Sequence, residues 1–228
     1  MRPQFNRRAR RAAAALGALA LGAGISGTVA TAAGSRAHPR VGHRKHRQLP
    51  LRLRALLLHP NVLVGQDVAF IGMLHPGVGN RSIAVQERRG SRWVAIAHAT
   101  TDRHGYFLER FWPRQLGRYT LRLYAAGLST AHTTLVGRVA TVYHQVVASW
   151  YGGVGMTACG RALGAGTLGV ANKTLPCGTM VSLHYGGRTV RVPVIDRGPY
   201  VAGRDYDLTY ATKLALGAGD VSQIWASA

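Results

Sequence analysis

From residue 51 onward, hydrophobic and polar positions alternate in short runs with a period of two. The runs are Leu51–Leu58, Asp67–Leu74, Ser82–Glu87, Trp93–Ala99, Tyr106–Phe111, Tyr119–Tyr124 and Val136–Val142. Within them Val68, Phe70, Gly72 and Leu74 fall on one face of a strand. Tyr119, Leu121 and Leu123 fall on one face of another, with Thr120, Arg122 and Tyr124 behind them. Turn-forming pairs separate the runs: Pro76-Gly77, Gly79-Asn80, Arg89-Gly90, His104-Gly105 and Leu116-Gly117. Strands recurring at this short spacing predict an antiparallel β-sandwich over residues 51–143. No cysteine lies in it, so a core disulfide of the antibody type is excluded. Asp102, Arg103 and His104 cluster at one turn, where Asp and His serve turn geometry.

The pattern changes after residue 145. Val146–Tyr151 reads as a strand and the Gly-rich stretch Gly152–Gly169 as a loop. Thr179–Tyr185 and Arg188–Ile195 alternate across Gly186-Gly187, a two-residue hairpin signal. The second of these strands delivers Asp196 at its end, and Gly198-Pro199 then turns the chain. A short helix over Ala211–Leu216 is predicted, capped by Thr209 or Asp207 and ended by Gly217, with a closing strand at Val221–Ala226. The fold class expected is therefore all-β, with one short helix.

Upstream of residue 51 no such period exists. Residues 1–33 read as an export signal peptide: Arg2, Arg7, Arg8, Arg10 and Arg11 form a basic head, Ala12–Ala23 an apolar run, and Ala30-Thr31-Ala32 offers small residues to a peptidase. An uncleaved anchor is the alternative. Residues 34–50 are a basic linker, expected to be disordered, in which Arg36, Arg40, Arg44, Lys45 and Arg47 alternate with His38, His43 and His46. Such a leader predicts a secreted or cell-wall-associated protein.

Charge sharpens this division. The chain holds 29 Lys and Arg against 8 Asp and Glu, and residues 1–54 carry 12 of the basic residues and none of the acids. A basic arm of this kind attracts an anionic wall polymer or a membrane surface. No helix-turn-helix, zinc-finger or RNA-binding pattern accompanies it, so a specific nucleic-acid partner is not expected. Cys159 and Cys177 are the only cysteines. In an exported chain an even count favours a disulfide, and two thiols are too few soft ligands for a structural zinc site. No metal and no cofactor is expected.

Five blocks in the last third carry a family resemblance. They are Ser149-Trp150-Tyr151-Gly152, Thr157-Ala158-Cys159-Gly160, Thr174-Leu175-Pro176-Cys177-Gly178, Asp196-Arg197-Gly198-Pro199-Tyr200 and Gly203-Arg204-Asp205-Tyr206-Asp207-Leu208. In order and spacing they resemble the RlpA-like double-psi β-barrel family. The resemblance implies a six-stranded double-psi barrel with a short helix over residues 146–228. Residues 51–143 separately resemble bacterial immunoglobulin-like modules, through Gly90-Ser91-Arg92-Trp93-Val94-Ala95-Ile96-Ala97 and a later Gly-x-aromatic triplet.

What the barrel resemblance implies is action on cell-wall polysaccharide. Family members of known activity are lytic transglycosylases, which need a carboxylic acid to protonate the leaving glycosidic oxygen of peptidoglycan. The matching acid is Asp196, with Asn172 beside it in the catalytic set. Trp150, Tyr151, Arg197, Tyr200 and Asp207 are the expected substrate-binding residues. Trp150 and Tyr151 admit a second reading as core, and Asp196 one as a turn former or a partner of Arg197. Two departures stand out. Asn172 takes the place of a family His, and Arg161 that of a family Glu; an amide cannot shuttle a proton. Three functions remain open: a peptidoglycan-cleaving enzyme, an expansin-like module that binds or loosens wall polysaccharide without turnover, and a polyanion-binding protein acting through its basic arm.

Overall fold

The computed structural model describes residues 51–126 and 136–228. The expected signal peptide and linker lie outside them. The described residues form strands and one short helix. Among them, no helix is long and apolar enough to cross a membrane.

In the first half the strands are β1 (Arg52–Leu58), β2 (Asn61–Leu63), β3 (Val68–His75), β4 (Ser82–Arg89), β5 (Arg92–Thr100), β6 (Tyr106–Phe111) and β7 (Gly117–Tyr124). They are followed by β8 (Val136–Tyr151). One sheet has the order β1-β3-β6. In the other, β5, β4, β7 and β8 pair antiparallel in sequence, and β2 joins β8 in parallel. The alternation read from the sequence explains the packing. Val68, Phe70 and Leu74 of β3 meet Ile83, Val85, Leu121 and Leu123 from the second sheet in one apolar core. Each such side chain, when fully buried, contributes about 1.5–3 kcal/mol. Asp102 serves its turn as expected, its Oδ1 accepting from His104 N at 2.8 Å and Tyr106 N at 2.9 Å.

The strands expected at Val136–Val142 and Val146–Tyr151 are one continuous strand. No Gly or Pro interrupts the sequence between Arg138 and Tyr151, and Val, Thr and aromatic residues dominate it. One face of β8 supplies two cores: Ala140 and Val142 belong to the first, Val146 and Ala148 to the second. On the opposite face Tyr143 is fully buried, packs near His184 and Trp225, and donates to Asn61 Oδ1 at 2.9 Å.

Beyond β8 come β9 (Gly155–Met156), β10 (Ala162–Leu163), β11 (Val170–Ala171), β12 (Met180–Tyr185), β13 (Arg188–Asp196), β14 (Tyr206–Thr209), α1 (Tyr210–Leu216) and β15 (Ser222–Ala226). The stretch expected as loop thus holds a two-stranded ribbon of β9 and β10. The main pairings run β14-β11-β13-β12-β15-β8, and β14 also pairs with β8. Two of these, β11–β13 and β14–β8, are parallel. The β12–β13 hairpin turns at Gly186-Gly187, both at positive φ, as that dipeptide predicts. Thr209 caps α1, its side chain accepting from Thr212 N, and Gly217 ends it in the left-handed region. Gly169 permits a close approach: a Cβ there would lie 2.5 Å from Cδ1 of buried Ile195.

Burial holds the His184 imidazole below its ordinary range. The folded chain therefore favours the neutral ring. As pH falls past the ordinary histidine value of about 6.5, the unfolded chain takes up a proton that the folded chain resists, and stability is lost. Between about pH 7.5 and about pH 5.5 the thermal midpoint is expected to drop more for the wild type than for His184→Gln. Thermal unfolding monitored by circular dichroism at the two pH values checks this, and equal drops would refute it.

Candidate functional site

The two-residue strand β11 organises the site. Ala171 pairs with Asp196 of β13 on one side and with Asp207 of β14 on the other. Asp207 pairs in turn with Ser149 of β8. Residues directly across a ladder project from the same face. Ser149, Ala171, Asp196 and Asp207 therefore form a row, and Tyr151, two residues beyond Ser149, joins that face. At ordinary strand spacing the Cα atoms of the two aspartates lie about 10 Å apart.

Asp196 ends β13 with its carboxylate held from the backbone. Oδ1 accepts from Ala158 N at 2.9 Å and from Arg197 N at 2.8 Å. A proton carried by this carboxyl therefore belongs on Oδ2, which takes no part in those bonds. Ala158 is presented by the turn Thr157–Arg161, where Thr157 Oγ1 accepts from Arg161 N and Gly160 N donates to Thr157 O. Cys159, next in that turn, is disulfide-bonded to Cys177 with Cα atoms 5.7 Å apart. The bridge closes a sequence separation of 18 residues, a contribution of about 3 kcal/mol on the chain-entropy account.

Arg197 does not pair with Asp196. Its guanidinium donates to Asn172 O at 3.1 Å, Leu175 O at 2.9 Å and Cys177 Sγ at 3.1 Å, tying the 172–177 segment to the end of β13. Asn172 is likewise occupied. Its Oδ1 accepts from Thr174 N at 3.0 Å and Leu175 N at 2.8 Å, and its Nδ2 donates to Asp205 O at 3.2 Å. Both side chains, expected to meet substrate or the acid, hold the loop that carries the site. The sequence signal for this was the Asn-x-Thr-Leu spacing, which suits an Asx turn.

Asp207 accepts a short hydrogen bond from Ser149 Oγ. Ser149, not singled out from the sequence, belongs to the site through this bond. Its place two residues before Tyr151 on an alternating strand was the available signal. The Tyr151 hydroxyl is buried, and burial first, then Asp196 and Asp207, push the phenol well above its usual range. Gly198 covers the row: a Cβ there would lie 3.7 Å from Asp207 Oδ2, 3.8 Å from the Tyr200 ring and 3.9 Å from Ala171 Cβ. Tyr200 is 84% exposed, an aromatic face open to solvent beside Asp207.

Trp150 lies apart from this row. It alternates to the other face of β8, where Lys213 Nζ sits 4.3 Å above its ring, Tyr210 packs at 5.5 Å and Nε1 donates to Asp220 at 2.8 Å. Lys213 and Asp220 are ion-paired at 2.6 Å, and the ammonium and the indole N–H hold the Asp220 carboxyl below its usual range. A groove of about 920 Å³ lies in the first half of the described chain and includes Glu87, Glu109, Trp112, Arg114 and Tyr119. Its Glu87 is paired with Arg89 at 2.9 Å. No group of three or more His, Cys, Asp or Glu side chains converges on a metal position among the described residues.

Residues 143–221 match the family model described as lytic transglycolase. A probable endolytic peptidoglycan transglycosylase RlpA from Aquifex aeolicus (strain VF5) is 42% identical over 80 residues, which make up 33% of this chain and 35% of that protein. The chain therefore spans about a third of the curated relative's length. Among solved structures, the Streptomyces papain inhibitor is similar at 27% identity with a TM-score of 0.32, over 37% of this chain and 92% of that one. Residues 143–221 are an RlpA-like double-psi β-barrel domain.

Asn172→Ala removes the acceptor of two part-buried backbone donors and the donor to the Asp205 carbonyl. We expect a loss of about 2 kcal/mol, read from urea unfolding of the oxidised protein. A change within a few tenths of a kcal/mol would show that the amide does not hold the turn.

Proposed function

We propose that this protein acts on the glycan strands of peptidoglycan as a lytic transglycosylase, with Asp196 as the general acid. The observation that carries the reading is the Asp196 carboxylate itself. Two backbone N–H groups fix one of its oxygens, it stands in a row with Asp207 and Tyr151, and an exposed aromatic ring lies alongside. The likeness of residues 143–221 to a peptidoglycan transglycosylase supports the same chemistry.

A proton on Asp196 Oδ2 passes to the leaving glycosidic oxygen as the C1–O bond breaks. The substrate's own C6 hydroxyl closes on C1, and its proton returns to the Asp196 carboxylate, so acid and base are restored without water. A second carboxylate nucleophile is unnecessary, unlike in most glycoside hydrolases. Tyr200 offers a face for the C–H side of a sugar ring, and Asp207 an acceptor for sugar hydroxyls. Ser149 fixes the orientation of Asp207.

One observation favours a second reading. The Asn172 amide is engaged by its own turn and by Asp205 O, so the segment where the family places a His brings no titratable partner to Asp196. An expansin-like module that binds or loosens wall polysaccharide without cleavage is consistent with that.

The remaining regions fit an exported wall protein. We read residues 51–143 as an immunoglobulin-like sandwich that spaces or docks the barrel of residues 146–228. Support comes from the facing β1-β3-β6 sheet, the parallel β2–β8 pairing and the shared core. Residues 1–33 act as the export signal, and the basic arm of residues 36–54 engages an anionic wall polymer or the membrane surface.

Mass spectrometry of peptidoglycan and of peptide-stripped glycan, digested with the oxidised mature protein, tests the function. Anhydro-ended products are expected from the wild type, and a fall of about 10²–10⁴-fold in Asp196→Asn. Retention on the glycan with no new chain ends would replace the enzyme by the binding module.

A further inference from the structure

The outer face of the β1-β3-β6 sheet is apolar where a solvent-facing sheet is ordinarily polar. Register sets Leu56, Ile71 and Leu108 directly across from one another, in one row over all three strands. Arg54, Met73 and Tyr106 form the next row on the same face. Leu56 is 67% exposed, Tyr106 56%, Leu108 51% and Ile71 44%. The inner face of the same strands fills the core with Leu53, Phe70, Leu74 and Phe107, so these strands are apolar on both sides. The second sheet differs. On its outer face Gln86 and Arg122 pair across the ladder, and Arg122 Nε donates to Gln86 Oε1 at 2.7 Å. Single exposed apolar residues need no explanation, but a contiguous row across three strands marks a surface that meets something.

Charge around the face narrows what that is. Arg54 stands in the second row, and Arg52 lies two residues earlier on the same side of β1; both are exposed. Among the described residues neither forms an ion pair. The acids bordering the face are engaged. Asp67 pairs with Arg110 at 3.2 Å. Asp102, which lines a hollow with Ile71, Tyr106 and Leu108, accepts from His104 N and Tyr106 N in its own turn. Glu109 lies on the inner side of β6, across from buried Phe70. The chain reaches β1 through residues 34–50, which hold Arg36, Arg40, Arg44, Lys45 and Arg47 and no acid. Val41 and Leu49 are the only large aliphatic residues of that segment, too few to cover the face. A second copy of the chain would set these arginines against their own kind. Negative charge layered over an apolar interior complements both features, and a bilayer surface with anionic headgroups is built in that order.

We infer that the outer face of the β1-β3-β6 sheet docks on an anionic phospholipid bilayer, with Leu56, Ile71, Leu108 and Tyr106 entering the headgroup boundary while Arg52 and Arg54 meet its phosphates. Tyr106 suits that boundary, having an apolar ring and a polar tip. The arginine stems lie along apolar surface and leave their guanidinium groups at headgroup level. The basic arm runs directly into β1, so long-range attraction by the arm delivers the protein with this face close to the membrane. The inference rests on the reading of the chain as an exported envelope protein and is independent of Asp196 as an acid. It goes beyond the arm by adding an apolar contact, which salt does not screen.

Cosedimentation of the oxidised mature protein with vesicles tests this. Vesicles of phosphatidylglycerol and phosphatidylcholine in equal parts are compared with phosphatidylcholine alone. Each is run at about 0.1 M and about 1 M NaCl, between which the Debye length falls from about 10 Å to about 3 Å. The wild type is expected to bind the anionic vesicles and to keep part of that binding at the higher salt. The double change Ile71→Thr with Leu108→Thr is expected to weaken partition by about 10–100-fold at either salt. Its urea midpoint should stay close to that of the wild type, because both side chains are exposed and threonine suits a strand. Should the pair unfold, Leu56→Thr on the edge strand gives the same readout singly. Arg52→Gln with Arg54→Gln is expected to weaken binding at low salt only. Wild-type binding that vanishes at the higher salt, or that the double variant keeps, overturns the docking face and leaves the arm as the contact. No binding to either vesicle overturns the face and the membrane role of the arm together. Self-association of the wild type in sedimentation velocity that the double variant loses makes the face a contact between copies and overturns the bilayer. Formation of anhydro ends on soluble glycan strands should be the same in the double variant as in the wild type. If neither forms them, the acid reading fails while the vesicle result stands by itself.

Discussion

Everything at the site depends on the double pairing of Ala171. Because β11 runs parallel to β13 and antiparallel to β14, one small residue has Asp196 on one side and Asp207 on the other. A two-residue strand cannot hold that register by its own ladder bonds. The flanking segment is pinned by other means: the Asn172 amide on its own turn and on Asp205 O, the Arg197 guanidinium on two carbonyls, and the Cys159–Cys177 bridge. These restraints converge within a few residues of Asp196. They explain why polar side chains that look available for substrate in the sequence are engaged within the protein. Placing a carboxylate accurately requires neighbours that are themselves held.

The continuous strand β8 ties this site to the rest of the described chain. Its first half belongs to the two-sheet core and its second half to the barrel core, with the Tyr143, His184 and Trp225 rings between. Ser149 and Tyr151 lie at its far end. The last two side chains of the site row are therefore carried by a strand anchored in both cores, and a strand is a stiffer support than a loop.

Much of this was legible in the sequence, for identifiable reasons. Alternation located the long strands because each has one buried face, and Gly186-Gly187, Thr209 and Gly217 marked a turn and two helix ends through their own backbone preferences. β11 was not legible, since two residues cannot display a period. The continuity of β8 past Tyr143 could have been read from the lack of any breaker there, but two motif blocks suggested two elements. Asp196 and Tyr200 were recognised from motif position, which carries residue type and order. Where Arg197 and Asn172 point was not, because side-chain direction depends on carbonyls and amides far along the chain. Trp150 shows the same limit, since its neighbour Tyr151 lies on the face of the aspartate row and it does not.

The charge balance of the row narrows what it can bind. Among the described residues no cation lies within ion-pairing distance of Asp196 or Asp207, although the chain as a whole is strongly basic. The arginine next to Asp196 in sequence is turned away from it. A row of two carboxyl groups beside an exposed aromatic face repels anions at close range. It suits a neutral ligand rich in hydroxyl donors, with apolar faces of ring size. Sugar rings have that chemistry. The basic excess lies elsewhere in the sequence, with 12 of the 29 Lys and Arg in residues 1–54. Recognition at the row is left to short-range hydrogen bonds.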